Sequence, residues 1–472
     1  MRLATPPIAW HGKLRVLSVD LYQTKIVHEE TTFWKLASGG QDNDVKIWWI
    51  SAPGSKIEFR ANLRRHEAPV NVVRFSPNGD MLASGSDDRA ILLWKYGGDV
   101  DTLCNDDDEL PNRENWSATK ALRGHTSDIF DLAWAPDSTK LFSCAIDYKT
   151  IIWDTVKGKK ICEFEDHNHY VQGVCWDPKN RFVASQSADR TLNVYSVSSK
   201  QLLHSLSRNS ASTIEGDFEM KQGKMFWEES KVEGFFRRLA FSPDGSLLVA
   251  PAGRLEKNDG IGINTSYVIT PASRFKPVLH VPSPDKPTVA VKFSPVLYQL
   301  RDSVSSVFDL PYRIVFGVAT PDTVVIYDTQ QAVPIAMVGR IHYAPITDMS
   351  WSADGQLLVV SSADGYCSFI EFDENEFGIP FDSSPSSKPE TERVKITTNV
   401  TSEIPVATDV IAVGNVASEK AITDVIALTP VAKSDTKIQS PFASPQASKS
   451  NGDGGELDPK PRRLPLSALR TL

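Results

Sequence analysis

Cysteine is scarce in this sequence: five in 472 residues, at Cys104, Cys144, Cys162, Cys175 and Cys367, odd in number and never spaced as CxxC. That speaks against a disulfide framework and for core thiols in a reducing compartment. No apolar run approaches the ~18 residues of a membrane-spanning helix. The N-terminal MRLATPPIAW also lacks the apolar stretch of a signal peptide. Positive charge is not in excess. A net charge of −8 excludes a surface that grips nucleic acid throughout, leaving at most a local basic patch. The GxSxG, GxxxxGK[ST] and HExxH patterns are missing, and with them a hydrolase elbow, a phosphate-cradling loop and a zincin helix. The expectation is a soluble intracellular protein with no cofactor, no membrane contact and no enzymatic site.

Hydrophobic residues, at 41%, suffice for a large core, but they are unevenly placed. All eleven Trp and all eleven Tyr precede residue 368, whereas 379–472 holds only Phe381 and Phe442 as aromatics. A segment so poor in large apolar groups cannot offset the entropy of ordering. Residues 1–378 are therefore expected to fold and 379–472 to form a disordered tail. Within the tail, Thr408–Val413 and Thr423–Leu428 are near copies rich in β-branched residues. They read either as short pairing strands or as an unstructured local duplication.

A repeat organises the first 378 residues. His66 is followed by Asp88 and Trp94, His125 by Asp147 and Trp153, His167 by Asp189 and Tyr195, and His342 by Asp364 and Ile370, at identical offsets. Between His and Asp lie two alternating apolar runs joined by a turn such as Ser76-Pro77-Asn78-Gly79, the mark of β-hairpins. Three strands per copy plus a linking strand make one propeller blade. The pattern resembles WD repeats, with Arg123-Gly124-His125 opening one copy and Trp153-Asp154 closing it. Less regular copies run from Trp10-His11 to Trp48 (stretched near Val27–Lys35), over 235–270 and over 288–328. The expectation is an all-β, seven-bladed WD-repeat β-propeller. Arg2–Trp10 is expected to complete the last blade, with Pro6 and Pro7 tolerated on an edge.

Because the His/Asp pair recurs in four blades, it reads as an internal hydrogen bond rather than a catalytic arrangement, which a protein needs only once. His167-Asn168-His169 has no third ligand placed for a metal. Two insertions stand out. Gly97–Ser117 carries Asp99, Asp101, Asp106, Asp107, Asp108 and Glu109, and reads either as a solvated acidic loop or as a surface for a basic partner such as a histone. His204–Gly234 holds Met225, Phe226 and Trp227, either a tether onto the propeller or a contact for another subunit.

Several blocks are more specific than a WD repeat: Ile8-Ala9-Trp10-His11, Val70–Pro77, Glu114-Asn115-Trp116, Tyr170–Val174, Phe235–Leu239, Leu310–Arg313 and Asp364–Phe369. Through them the chain resembles the middle WD-repeat subunit of chromatin assembly factor 1 over nearly all of 8–380. The resemblance implies a nuclear, non-enzymatic subunit of a three-part histone chaperone that deposits new core histones on DNA during replication and repair. Its implied partners are the large subunit, which binds the propeller, the small histone-binding subunit, and core histones met through the complex. Direct sequence-specific DNA binding is not implied.

Within the last residues, Pro461–Arg470 resembles the motif by which this family and a related histone regulator family hold the anti-silencing histone chaperone. The resemblance gives Arg462 and Arg463 acidic partners and places Leu464, Leu466 and Leu469 in an extended groove beside a sheet edge. Paired Arg and strand addition suit that chemistry. Pro465 departs from it by removing one backbone donor. Lys460-Pro461-Arg462-Arg463 also reads as a nuclear-import patch, and the two readings are compatible. Two rivals are weaker. The replication-independent histone regulators match these blocks less well and continue into a large C-terminal region. Cullin ubiquitin-ligase receptors often carry Arg two positions after the Trp-Asp pair, where this chain has Val156 and Gln330.

Overall fold

Alternating apolar residues bounded by Pro, Asn, Asp and Gly turns leave each run one stable outcome, a strand buried on both faces between neighbouring blades. In the computed structural model these strands form, among the described residues, seven antiparallel sheets, six of four strands and one of five. Residues 1–28, 31–51, 56–103, 111–208, 223–256, 262–283, 285–302, 304, 306–331 and 333–381 are described. The expected tail lies outside them from residue 382 onward, with Arg462, Arg463, Leu464, Leu466 and Leu469. Its first three residues are described and pack on the propeller, where the Ile379 carbonyl accepts from Gln299 N–H and Phe381 lies against Tyr312.

The inner strands of blades 1 to 7 are Val16–Leu21, Val70–Phe75, Ile129–Trp134, Val171–Trp176, Ala240–Phe241, Ala290–Tyr298 and Ile346–Trp351. Successive strands in each blade pair outward by hairpins. Blade 7 takes its outermost strand from the N-terminus: Arg2–Ala4 pairs with Cys367–Glu371, with Arg2 opposite Glu371. This closing strand is shorter than the expected Arg2–Trp10. Pro6 and Pro7 fall beyond it, and Trp10 is instead fully buried against Trp48 and Phe369.

The stretch near Val27–Lys35 becomes a fifth strand of blade 1, with Ile26–His28 paired to the extended Thr31–Gly40. The described arms of the acidic insertion are not a loop. They prolong the outer hairpin of blade 2, whose strands run Ala90–Leu103 and Asn112–Arg123. In the second insertion, Met225 and Phe226 are buried against blade 5, and Trp227 donates its backbone N–H to Ala252. The aromatic cluster is thus a tether.

Gly173 shows how tightly adjacent blades meet. A Cβ there would stand 1.9 Å from the Arg237 carbonyl oxygen, so only glycine lets the segment entering blade 5 lie against the inner strand of blade 4. The backbone N–H of Arg237 donates to Gln172 there, which places Arg238 at the propeller axis.

Candidate functional site

The repeated His and Asp come together in every blade where the spacing put them. Nδ1 of His66, His125, His167 and His342 lies 2.7, 3.0, 3.0 and 3.1 Å from Asp88, Asp147, Asp189 and Asp364. Sequence spacing missed a fifth copy. His11 reaches Asp42 at 2.6 Å, but the extra strand lengthens the interval from 22 to 31 residues. The shorter Ser-to-Trp interval survives the insertion and would have revealed it. Ser38, Ser84 and Ser143 each accept from Trp48, Trp94 and Trp153, ten residues on, and bond Nε2 of the blade's His.

A neutral imidazole suits this chain: Trp N–H to Ser, Ser O–H to Nε2, and Nδ1–H to Asp. The three seryl groups are fully buried, so none of these hydroxyls is open to a substrate. Burial works to raise each Asp, yet the hydrogen bond from its His, and the charge of that ring once it is protonated in acid, outweigh it. Asp42 and Asp189 fall to about 2, and Asp88, Asp147 and Asp364 are also lowered. Burial lowers His11 as well.

The other concentration of polar groups is axial, and sequence reading missed it. Asp131, Arg238 and Asp348 each stand three residues before the aromatic that ends an inner strand, Trp134, Phe241 and Trp351. Arg238 is 1% exposed and spans the channel. It donates to Asp131 at 2.5 Å and to the carbonyls of Asn71, Leu17 and Thr347, and its Nε lies 3.4 Å from Asp348. Arg74 adds contacts of 2.7 Å to Asp348 and 3.3 Å to Asp131. Burial works to raise Asp348, but the charges of Arg238 and Arg74 overcome it and hold its carboxyl below the usual range. This ion cluster plugs the axis, and five blades supply its partners.

Beside the plug, on the face opposite the His–Asp pairs, lies a cavity of about 420 Å³. Asp20, Arg74, Lys292 and Ser350 line it, each one residue before a large apolar residue of its inner strand (Leu21, Phe75, Phe293, Trp351). Small Ala133, Cys175 and Ala240 at the equivalent places in blades 3, 4 and 5 leave the space open. Among the described residues, no group of three His, Cys, Asp or Glu is placed to hold a metal.

The hairpin of blade 2 is anchored on buried Glu114. Its carboxylate accepts from Lys35 at 3.0 Å, Trp49 Nε1 at 2.7 Å and Trp116 Nε1 at 2.8 Å. Arg60, stacked 3.6 Å over Trp49, reaches Asp99 on the same hairpin at 3.2 Å. Asp106, Asp107, Asp108 and Glu109 lie outside the described residues.

Residues 1–377 match the family described as the CAF1B/HIR1 beta-propeller domain. The chain belongs to that family. Among CAF1B/HIR1 relatives, the B subunit of chromatin assembly factor 1 from Mus musculus is 43% identical over 406 residues, covering 82% of this chain and 69% of the relative. The Saccharomyces cerevisiae protein of the same name is 36% identical over 416 residues, covering 79% and 86%. Protein HIR1 of Kluyveromyces lactis is 31% identical over 368 residues, covering 73% of this chain but 40% of the relative. Within the CAF1B/HIR1 family the chain therefore sits with the chromatin assembly factor 1 branch.

Proposed function

We propose that this chain is a non-catalytic scaffold subunit of a nuclear histone chaperone of the chromatin assembly factor 1 kind, acting in deposition of new core histones during replication and repair. The observation that carries the reading is where the polar chemistry lies. In a closed propeller whose buried Ser, His and Asp bond one another, what remains for function is the outer surface and the tail, the parts that bind other proteins. The higher identity and coverage toward the chromatin assembly factor 1 relatives favour this branch over the HIR1 branch. The propeller is the platform for the large subunit. The small subunit and the histones join through the complex. The tail residues Arg462, Arg463, Leu464, Leu466 and Leu469 hold the anti-silencing histone chaperone.

Co-purification separates these roles. Residues 1–380 are expected to retain the large subunit, and its loss on removal of 381–472 would overturn the division. Arg462→Ala with Arg463→Ala is expected to weaken anti-silencing chaperone binding about a hundredfold, from two charge-assisted contacts of ~1.5 kcal/mol each. Leu464→Ala or Leu469→Ala should cost ~1–2 kcal/mol. Titration calorimetry with a peptide of residues 456–472 reads these losses. Equal binding by the double-Arg variant would leave this segment as an import patch alone.

A further inference from the structure

We propose that the axial cavity beside Lys292 is a binding site for the carboxylate of an aspartate or glutamate side chain presented by an extended peptide. The argument starts from charge satisfaction. Each acid around the axis is engaged. Asp20 accepts from Phe75 N–H at 2.8 Å and Ser350 Oγ at 3.1 Å, Asp131 holds Arg238 and Arg74, and Asp348 holds Arg74 and Ser18. Both Arg are likewise paired. Lys292 is different: among the described residues its ammonium has no hydrogen-bond or ion-pair partner, although it lines the cavity. Lys292 is half-buried, and desolvation with the charge of Arg74 lowers its pKa against the opposing pull of Asp348, Asp20 and Asp131.

The remaining walls say what kind of anion fits. Trp134, Trp176, Phe241 and Trp351 with Pro178 and Pro243 give the cavity apolar and aromatic sides. About 420 Å³ is far more than a free phosphate or acetate fills and is within the range of pockets that enclose organic ligands. One free ammonium matches one monoanionic carboxylate. Asp20 and Asp131 repel any anion there, and a phosphate dianion about twice as strongly as a monoanionic carboxylate. The aromatic sides suit the methylene stem and flanking residues of a peptide.

The test is calorimetric titration of the full chain with three probes: N-acetyl-Phe-Glu-Phe-amide, its Gln counterpart and inorganic phosphate. The Glu peptide is expected to bind saturably and at least tenfold more tightly than the Gln peptide. Lys292→Met should remove that preference, and Lys292→Arg should keep it within a few-fold. Equal binding of the Glu and Gln peptides to the unaltered chain, or no saturable binding, overturns the proposal even where the Met variant fails to fold. An unchanged Glu preference in a folded Lys292→Met chain overturns it too, as does phosphate binding more tightly than the Glu peptide.

Discussion

Ser143 stands between two ring nitrogens, 2.7 Å from His125 Nε2 and 2.8 Å from Trp153 Nε1, with all three side chains buried. Ser143→Ala leaves both nitrogens without a partner, and ~1–3 kcal/mol of stability should go with the hydroxyl. Thermal melting reads it. Blade 7 carries the natural counterpart of that variant. Val360 occupies the seryl position, and His342 Nε2 is buried with no hydrogen-bond partner. Val360→Thr keeps the shape and supplies a hydroxyl, so it should stabilise by ~1 kcal/mol. The same change at the neighbouring buried Val359 should destabilise. A fall in melting temperature at both positions would show that the hydroxyl does not reach His342. Pairing in four blades was legible because a fixed interval reports a fixed geometry. Pairing in blade 1 was not, because an inserted strand changes the interval while leaving the geometry intact.

One buried carboxylate anchors the blade 2 hairpin, which Arg60 also holds through Asp99. Glu114, 1% exposed, accepts from two indoles and from Lys35, itself 6% exposed. Removing one partner of a buried ion pair leaves an uncompensated charge, so Glu114→Ala should cost roughly 3–5 kcal/mol. Limited proteolysis should find the arms of the 97–117 hairpin cut first in that variant, and an unchanged cleavage pattern would refute the anchoring. The charge run there marks a surface segment by its acidity. Its strand character was hidden because the residues that build the arms, Tyr96, Asn112 and Trp116, are interleaved with polar and charged ones. The aromatic cluster Met225–Trp227 raised the opposite difficulty. Composition announced burial, but a lone apolar triplet inside a polar insertion does not say against what, and only the contact with blade 5 decides.

Across the whole ring, two devices hold the blades together: the Arg2–Ala4 strand that closes blade 7 and the axial cluster centred on Arg238. The blade count and the use of an N-terminal strand were legible in the repeat. The axial cluster was not, because its Asp131, Arg238 and Asp348 sit singly in separate repeats and meet only when the ring closes. The shifted groups among these make stability depend on pH in one predominant direction. Asp42 and Asp189 titrate at about 2 in the folded chain and near 4 when unfolded. Their contribution is complete above about pH 4 and is lost as pH falls toward 2. Lowered Asp348 acts in the same sense. His11 adds to it from below about pH 6.5, where the unfolded ring takes a proton that the buried ring resists. Asp20, raised by burial, opposes them. The melting temperature should therefore decline gently from pH 7 to 5 and steeply below 4. Asp189→Asn should melt lower than the unaltered chain at pH 7, since His167 loses its charged partner, but decline less steeply between pH 4 and 3. Parallel curves for the two chains over that interval would mean that the His–Asp pairs do not set the acid limit.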